Sequence, residues 1–354
     1  MNEHLEHYKE SMLICADLHL KRWDLGGDWE LGGDLMNPRP THSRITRTLQ
    51  MMTSAVKQAN DKGCRTLVVN GDLLDQGKTI DPYILDALLH WLEWLRDLGW
   101  HVVLIVGNHE RTSKTHNMHT LVGFNSLDHV LIVDTVKTVY LADRELLMMP
   151  FEYDATVTRD NIEEYFSEYM VAPGKKPPIL VTHHPVTEAC DATGRHFNCP
   201  LSVNDLQHEM FSHVFLGDIH KQQTIKGNVY YTGAPVPQTF SDLHNNGHFV
   251  YFNFVTDEMI NIKVEDPNPL CETADKEEYK RMREEGKLVR FTGSNETITT
   301  GIKQKATSVN KSMPDVIRSY TDKACDASIR EEVRKHLTED ICGQDVSIWG
   351  PVGR

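Results

Sequence analysis

The 354-residue chain lacks the features that mark an exported or membrane-bound protein. Its N-terminus is polar and acidic, without the basic start and apolar middle of an export signal. No apolar run approaches the roughly 20 residues that cross a bilayer. Seven cysteines are an odd number, and none forms a Cys-x-x-Cys pair, which disfavours a disulfide framework. We therefore expect a cytoplasmic protein that contacts no membrane, with a bacterium or a phage-infected cell as its setting.

Basic charge is also scarce. The chain has 37 Lys and Arg against 51 Asp and Glu, a formal net charge of -14. The residues from Cys271 onward are neutral, so the acidic excess lies in the first 270 residues. Such a surface repels a polyanion at long range, and strong unaided binding to nucleic acid is not expected. Most of these groups form a solvated surface, although cations bound to ligand carboxylates would neutralise some of them.

Strand and helix patterns alternate through the first two-thirds of the chain. Amphipathic helices are predicted at 43–62 and 81–98, where each has a capping residue and a glycine stop. Weaker helical patterns cover 161–170 and 203–211, and 130–150 reads as a meander of three short strands. Hairpin patterns follow. The sequence predicts an α/β fold in which two sheets pack together with helices outside.

The pattern changes after the Asp-Pro-Asn-Pro segment at 266–269. We predict one large domain at 1–268 and a small capping or partner-binding segment at 269–354, with charged helices at 276–287 and 326–337. An irregular loop at 23–40 carries Trp23 and Trp29, which either contact unstacked bases or only close the surface.

Five short segments place possible metal ligands directly after apolar strands. One such strand end is unremarkable, but five in one chain are hard to explain without a shared site. The segments are Asp17-Leu18-His19, Gly71-Asp72, Gly107-Asn108-His109-Glu110, Thr182-His183-His184-Pro185 and Gly217-Asp218-Ile219-His220.

The side chains in these segments offer oxygen and nitrogen but no thiolate. Asp17 and His19 are two residues apart, so on extended backbone both point to the same side. The carboxylate of Asp72 can bridge two cations. The remaining candidates each offer one oxygen or nitrogen: Asn108, His183, Asp218 and His220. This mixture suits Mn2+, Fe2+ or Zn2+ in a reactive centre rather than a structural zinc site. A lone strand-end histidine is more often structural, so the prediction depends on the segments acting together.

The five segments resemble the signature of the calcineurin-like metallophosphoesterases, and in detail they are similar to the SbcD-type branch of DNA repair nucleases. That branch includes the meiotic-recombination nuclease and phage recombination endonuclease subunits. Residues 17–20, 71–75 and 217–221 match its opening, second and last motifs, and 230–235 match the strand and turn that follow. The resemblance covers about 11–255. It implies a four-layer αββα sandwich of two mixed β-sheets with a small C-terminal appendage.

The resemblance also implies a pair of divalent cations, Mn2+ first, with Mg2+ or Fe2+ as alternatives. By this resemblance one cation is held by Asp17, His19, Asp72 and His220, with Asp72 shared, and the other by Asn108, His183 and Asp218. His109 would be the general acid. His183 is the ligand because it directly follows the strand. The side chains that would support the ligands from behind are His184, Glu110 and Asp75.

Two positions depart from the family pattern. Asp218 stands where the family usually has histidine; an extra anionic ligand favours harder ions such as Mn2+ or Mg2+. Glu110 replaces the commoner aspartate, as it does in the protein Ser/Thr phosphatases. Gln76, however, stands where those phosphatases carry a phosphate-binding arginine. The last motif at 217–220 and the turn that follows it resemble the nuclease branch, which is therefore favoured.

The function implied by the resemblance is a DNA nuclease, exonucleolytic from 3′ ends and endonucleolytic on single strands. It would act in repair, recombination or replication with an SbcC-like, SMC-type ATPase that binds the C-terminal region. The alternatives are a small-molecule phosphodiesterase or phosphatase of the same fold, and a catalytically silent scaffold. Silence is disfavoured because every ligand position carries a competent side chain.

The helix at 81–98 carries too many apolar residues for one core-facing stripe. Either it is buried on two sides within one chain, or it forms a homodimer interface, as the resemblance implies. In the second case, an exposed Trp91 or Trp94 would anchor the partner.

Overall fold

The computed structural model describes the chain in ten segments. These are residues 10–21, 29–31, 40–75, 79–113, 118–141, 144–151, 166, 176–267, 269–285 and 287–293. All of them belong to the first of two units, Met1–Gly293. The predicted domain boundary between 268 and 269 stays a prediction.

The first sheet has six strands. In spatial order they are β14 (Met259–Ile262), β13 (Phe249–Asn253), β1 (Ser11–Cys15), β4 (Thr66–Asn70), β5 (His101–Ile105) and β6 (Val130–Val133). The four strands from β1 to β6 are parallel, with Ile14 opposite Val68 and Val68 opposite Val103. Because β13 and β14 are antiparallel additions, the sheet is mixed.

The second sheet is also mixed, with one antiparallel strand at each edge. Its six strands in spatial order are β11 (Gln223–Lys226), β12 (Val229–Tyr231), β10 (His213–Leu216), β9 (Ile179–Thr182), β8 (Arg144–Met149) and β7 (Lys137–Leu141). The four central strands are parallel, and the outer strands β11 and β7 are antiparallel. Parallel central strands bring their carboxyl ends to one edge, where α/β proteins place ligands.

The remaining described elements are smaller. Helix α1 (Ser43–Asp61) follows the strand pair β2 (Trp29–Leu31) and β3 (Pro40–His42). Helix α2 (Pro82–Asp97) begins at Asp81, whose side chain accepts a hydrogen bond from the Tyr83 amide at 2.9 Å. Helix α3 (Lys276–Glu284) lies between the paired parallel strands β15 (Cys271–Thr273) and β16 (Val289–Phe291).

Alternate residues of each strand enter different cores, as the twofold repeat of a strand requires. Ile14 and Val68 belong to the core between the sheets, together with Met148 and Phe215 of the second sheet. Their neighbours Leu13 and Val69 pack on the other face against α1 and α2. Among the described residues, the outer face of the second sheet is covered by the irregular segment 186–211 and by Phe166. The prediction of two mixed sheets with helices is confirmed.

Several local predictions have clear outcomes. The helices at 43–62 and 81–98 are confirmed to within one residue. The meander at 130–150 is wrong, because β6 pairs with β5 in the first sheet while β7 and β8 form a hairpin in the second. The alternating pattern identified three strands but carried no information about their partners.

The helix predicted at 203–211 is also wrong. Only a short 3-10 helix, His208–Met210, is present, and Gln207 before it has a left-handed φ of 45°. Ser202 binds the side chain of Asp205, a local contact that competes with helix formation. The irregular loop predicted at 23–40 contains β2 and the first residue of β3; its other residues lie outside the described segments. So do the predicted helices at 161–170, apart from Phe166, and 326–337.

The apolar helix α2 is buried mainly within its own chain. Trp91 is fully buried, and its indole N–H donates to Thr53 Oγ1 of α1 at 2.9 Å. The prediction that Trp91 could be an exposed anchor is therefore wrong. Trp94 is half-buried against the same core, while Tyr83 and Leu98 are exposed. A homodimer through this helix stays a prediction.

None of the helices in the described segments combines the length and the apolar character needed to cross a membrane.

The packing between the sheets gives a direct test. Phe252 of β13 is fully buried, and its ring meets Phe215 of β10 edge-on at 5.6 Å. We predict that Phe252→Ala lowers the free energy of unfolding by about 3–5 kcal/mol, because the cavity cannot collapse between two sheets. Urea denaturation measures this change in the free energy of unfolding. The control Val255→Ala removes an exposed side chain and should change stability by less than about 0.5 kcal/mol; equal effects would contradict this packing.

Candidate metal centre

The predicted ligands follow the carboxyl ends of strands in both sheets. Asp17 and Asp72 each follow a strand of the first sheet by two residues, and Asn108 follows β5. His183 directly follows β9, and Asp218 follows β10, both in the second sheet. The described structure brings all of these segments into contact where the two sheets meet.

Four of the ligand positions have a left-handed backbone. The φ angles are 59° at Asp17, 43° at His19, 52° at Asp72 and 72° at Asp218. Residues with a Cβ rarely adopt this conformation, and such strain concentrates at functional sites. The extended backbone predicted through Asp17 and His19 is therefore wrong. Their loop is instead held by two backbone hydrogen bonds. The Asp17 amide donates to the Gly71 carbonyl (3.2 Å), and the His19 amide donates to the Asp72 carbonyl (2.9 Å).

The ligand atoms approach one another closely. His19 Nε2 lies 3.1 Å from His220 Nε2, and His183 Nε2 lies 3.3 Å from Asp72 Oδ2. Three overlapping sets have candidate ligand atoms within 4.8 Å of one another: Asp17, His19 and His220; His19, Asp72 and His109; and Asp17, Asp72 and His183. Asp17 and Asp72 therefore both belong to more than one set.

Asn108 and Asp218 complete the cluster on the side of His183. The Asn108 amide oxygen lies 3.1 Å from His183 Nε2 and from Asp218 Oδ1, and 3.2 Å from both oxygens of Asp72. All of these neighbours are acceptors. The arrangement is satisfied if the amide nitrogen turns to this position, or if a cation lies between the oxygens.

Asp17 provides the clearest test of whether these residues fit a metal. Its carboxylate is fully buried, and neither oxygen has a hydrogen-bond partner among the described residues. Burial raises the pKa of Asp17. A buried carboxylate without donors is costly unless a cation compensates it. The residues therefore fit divalent cations, and the oxygen and nitrogen donor set is suited to them.

The three histidines are oriented by partners behind them. His183 Nδ1 lies 2.5 Å from the Asn70 carbonyl, His19 Nδ1 lies 3.2 Å from Asp75 Oδ1, and His220 Nδ1 lies 3.0 Å from Asp242 Oδ1. When Nδ1–H of His183 and of His220 donates outward, Nε2 keeps its lone pair toward the cluster. His19 Nδ1 faces Asp75 at ion-pair distance but forms no hydrogen bond among the described residues. This arrangement of acceptor, imidazole and cation is the usual support of a metal-bound histidine.

Asp242 and Asn70 were missed by the sequence reasoning. Asp242 is part of a capping box with Thr239, and the Thr-x-x-Asp pattern was a visible signal for that local turn. Nothing in the pattern indicates contact with His220, 22 residues earlier. Asn70 acts through its backbone carbonyl, which carries no sequence signal.

The motif glycines provide space for the ligands. A Cβ on Gly71 or on Gly217 would overlap the His183 ring, and a Cβ on Gly107 would overlap the Asp72 carboxylate. Glycine before Asp72, before Asn108 and before Asp218 is thus required by close packing around two ligands.

Glu110 ties the loops together from behind. Its buried carboxylate accepts hydrogen bonds from the backbone amides of Gly107 (2.8 Å), Asp72 (3.1 Å) and Leu74 (2.8 Å). Burial, and then the charge of Asp72, raise the pKa of Glu110 to about 7. The three donors favour the ionised form, because a protonated oxygen would lose acceptor capacity.

His109 lies at the solvent side of the cluster. Its side chain is 40% exposed, its Nδ1 lies 2.9 Å from the Asp75 carbonyl, and its Nε2 lies 3.9 Å from Asp72 Oδ2. Its backbone amide donates to Asp72 Oδ1 at 3.0 Å. An imidazole held in this way can present Nε2 to a bound molecule.

His184 has a different environment from His183. It is buried, its Nε2 bonds the Pro150 carbonyl at 3.1 Å, and its ring stacks on Phe151 at 5.0 Å. Burial lowers the pKa of His184 to about 3, so the ring is neutral. Among the described residues it belongs to none of the candidate ligand sets.

Negative charge dominates the cluster. Burial opposes protonation of His220, but the hydrogen bond to Asp242 and the charge of Asp17 raise the pKa of His220 to about 9. Burial raises the pKa of Asp218 to about 6. Protons therefore supply positive charge to the cluster when no cation does.

Comparison with known proteins supports this description. The family model described as calcineurin-like phosphoesterase matches residues 11–222. No curated protein matches the sequence. One solved crystal structure is 8% identical, with a TM-score of 0.45, over 72% of this chain and 99% of its own.

The raised pKa of His220 predicts opposite pH trends with and without metal. Because its folded-state pKa of about 9 exceeds the ordinary value of about 6.5, protonation stabilises the metal-free fold below about pH 6.5 and this is lost as pH rises toward 9. Binding of Mn2+ requires deprotonated ligands, so its stabilisation should grow over the same range. Urea denaturation in EDTA and in Mn2+ measures both trends.

His220→Ala is the matched control and should flatten the decline seen in EDTA. If Mn2+ stabilised the unmodified chain equally across this range, or less at higher pH, the assignment of His220 to the cluster would be contradicted.

Proposed function

The chain belongs to the calcineurin-like phosphoesterase family, and from that premise we propose that it is a two-metal-dependent DNA nuclease. The proposal includes 3′–5′ exonuclease and single-strand endonuclease activity in DNA repair, recombination or replication. Family membership supports the coarser statement, a metal-dependent phosphoester hydrolase. The finer statement depends on features of this chain.

The observation that carries the proposal is the position of the Asp72 carboxylate between two groups of ligand atoms. Asp72 Oδ2 lies 3.7 Å from His19 Nε2 and 3.3 Å from His183 Nε2, and Asp72 belongs to two of the candidate ligand sets. A carboxylate so placed suits a bridge between two cations. The first would use Asp17, His19, Asp72 and His220, and the second Asp72, Asn108, His183 and Asp218.

When bound, the cations would lower the pKa of a water molecule and neutralise charge on the phosphate. The residues around them perform the remaining tasks. His109, with Nδ1 directed to the Asp75 carbonyl, would hold a proton on Nε2 for the departing 3′-oxygen. Glu110 would keep the Asp72 and Asn108 loops at a constant separation.

The turn at 232–235 supports the nuclease branch over the phosphatases. It matches the turn that follows the last motif in that branch, and in this chain it touches a proposed ligand directly. The Ala234 amide donates to the His220 carbonyl at 2.9 Å, and Gly233 has a left-handed φ of 70°. A Cβ on Gly233 would also meet the His220 carbonyl.

A small-molecule phosphodiesterase is the second candidate. A cleft of about 280 Å³ borders Asp218 and His220, and its lining includes Phe197 and Lys221. That size suits a compact group such as one nucleotide, whether free or at the end of a strand. The cleft alone therefore favours neither substrate.

The proposal extends to partners and compartment. The acidic surface disfavours strong unaided DNA binding, which is consistent with an SbcC-like ATPase bound through 269–354 in the cytoplasm. A homodimer through the α2 region also belongs to the proposal, without Trp91 as an anchor.

Comparing three substrates tests the function. Duplex DNA, single-stranded DNA and bis(p-nitrophenyl) phosphate should each be incubated with Mn2+ and with EDTA. We expect Mn2+-dependent cleavage of DNA from 3′ ends. Cleavage of the small ester alone, by the chain with and without its ATPase partner, would favour the second candidate; no turnover would favour a silent scaffold.

His109→Ala tests the acid role. We predict a fall in kcat of about 10²–10⁴-fold on DNA, with Mn2+ stoichiometry and KM little changed, because the ring is not a ligand in this assignment. Steady-state kinetics and metal analysis of the purified protein measure these quantities. His90→Ala, on α2, is the matched control. Full turnover in His109→Ala would remove the acid role.

A further inference from the structure

One short segment, residues 236–245, contacts both parts of the chain that carry nitrogen ligands of the first cation. Gln238 Nε2 donates to the Leu18 carbonyl at 2.9 Å, and Leu18 lies between Asp17 and His19. Asp242 Oδ1 accepts from His220 Nδ1 at 3.0 Å. The two contacts join the His19 loop to the His220 ring through a single turn, which includes the 3-10 helix Phe240–His244.

The Asp242 carboxylate is itself held in place. Its Oδ2 accepts from the amides of Gln238 (3.1 Å) and Thr239 (2.8 Å) and from Thr239 Oγ1 (3.0 Å). Its Oδ1 also accepts from Asn245 Nδ2 at 2.8 Å. A side chain with this many donors has one orientation, so it can set the orientation of the His220 ring.

The same segment is held from the C-terminal side. The Arg290 guanidinium of β16 lies 5.3 Å from the centre of the Phe240 ring, within the range of a cation–π contact. Arg290 also pairs with Glu272 of the neighbouring strand β15. Residues 271–291 are thus attached to the turn that carries Asp242.

We propose that residues 236–245 are a clamp that positions His19 and His220 for the first cation, and that Arg290 couples the β15–β16 pair to this clamp. Gln238 and Asp242 are positioning residues. The inference rests on the metal pair of the proposed function. It assigns the C-terminal strands a specific effect: displacing β16 weakens the first cation and leaves the second unchanged.

Asp242→Asn tests the first part. Removing the carboxylate behind His220 should weaken binding of one of two Mn2+ ions by about 10–100-fold, measured by isothermal titration calorimetry. The other ion should bind as before. In the metal-free proteins compared above about pH 9, where the unmodified His220 ring is neutral, the 15N signals of the ring should show a change of tautomer population in the variant. Asp257→Asn is the control, because that carboxylate pairs with Arg144 and Lys176 and not with a ligand.

Arg290→Ala tests the second part at an exposed position, which keeps the test valid if Asp242→Asn does not fold. Loss of an exposed cation–π contact should weaken the first Mn2+ about two- to fivefold, whereas Lys280→Ala on α3 should not. If Asp242→Asn binds both ions with unchanged affinity, the inference is overturned and the proposed function is not. If Asp242→Asn does not fold, the same result in Arg290→Ala has the same meaning. An unmodified chain that binds no Mn2+ would overturn the proposed function and this inference with it.

Discussion

Buried negative charge where the two sheets meet is the constraint on which the rest of the site depends. The carboxylate of Asp17 is fully buried without a described donor, and the Asp72 carboxylate is nearly as buried. Charges in this position persist only when positive charge is close by. Three imidazole nitrogens and an amide face the same space, but imidazole protons can only partly compensate. A pair of cations would complete the charge balance.

The surrounding structure keeps the ligands in this demanding arrangement. Four predicted ligand residues have a left-handed backbone, and such strain must be offset by contacts elsewhere. Backbone hydrogen bonds between the Asp17 and Asp72 loops provide those contacts, together with the three hydrogen bonds that Glu110 accepts from backbone amides. Glycines beside His183 and Asp72 remove the atoms that would collide with the ligands. The short motifs therefore specify the backbone conformation and the space around these side chains as well as their chemistry.

Much of the fold was accessible from the sequence because apolar runs and helix caps act locally. Helix α2, for example, begins at a capping aspartate followed by proline. Partner choice is not local, so the sequence did not show that β6 and β7 enter different sheets. At the site, residue types and order predicted which side chains the fold brings together; their roles as ligands stay a prediction. Asp242 was missed because its contact with His220 depends on how a distant turn folds back.

Under the proposed clamp, the C-terminal strands β15 and β16 would influence the candidate metal centre through residues 236–245. Hydrogen bonds connect His220 to Asp242, and an aromatic contact connects the same turn to Arg290. A partner bound to these strands would not need to reach the ligands themselves. In that case, displacing the turn would be enough to disturb the His220 ring.

The most direct measurement is anomalous diffraction from crystals of this chain grown with Mn2+. The account predicts two peaks about 3.5–4 Å apart, one on either side of the Asp72 carboxylate, with Asp17, His19 and His220 around one and Asn108, His183 and Asp218 around the other. A single peak, or two peaks that do not share Asp72, would contradict it.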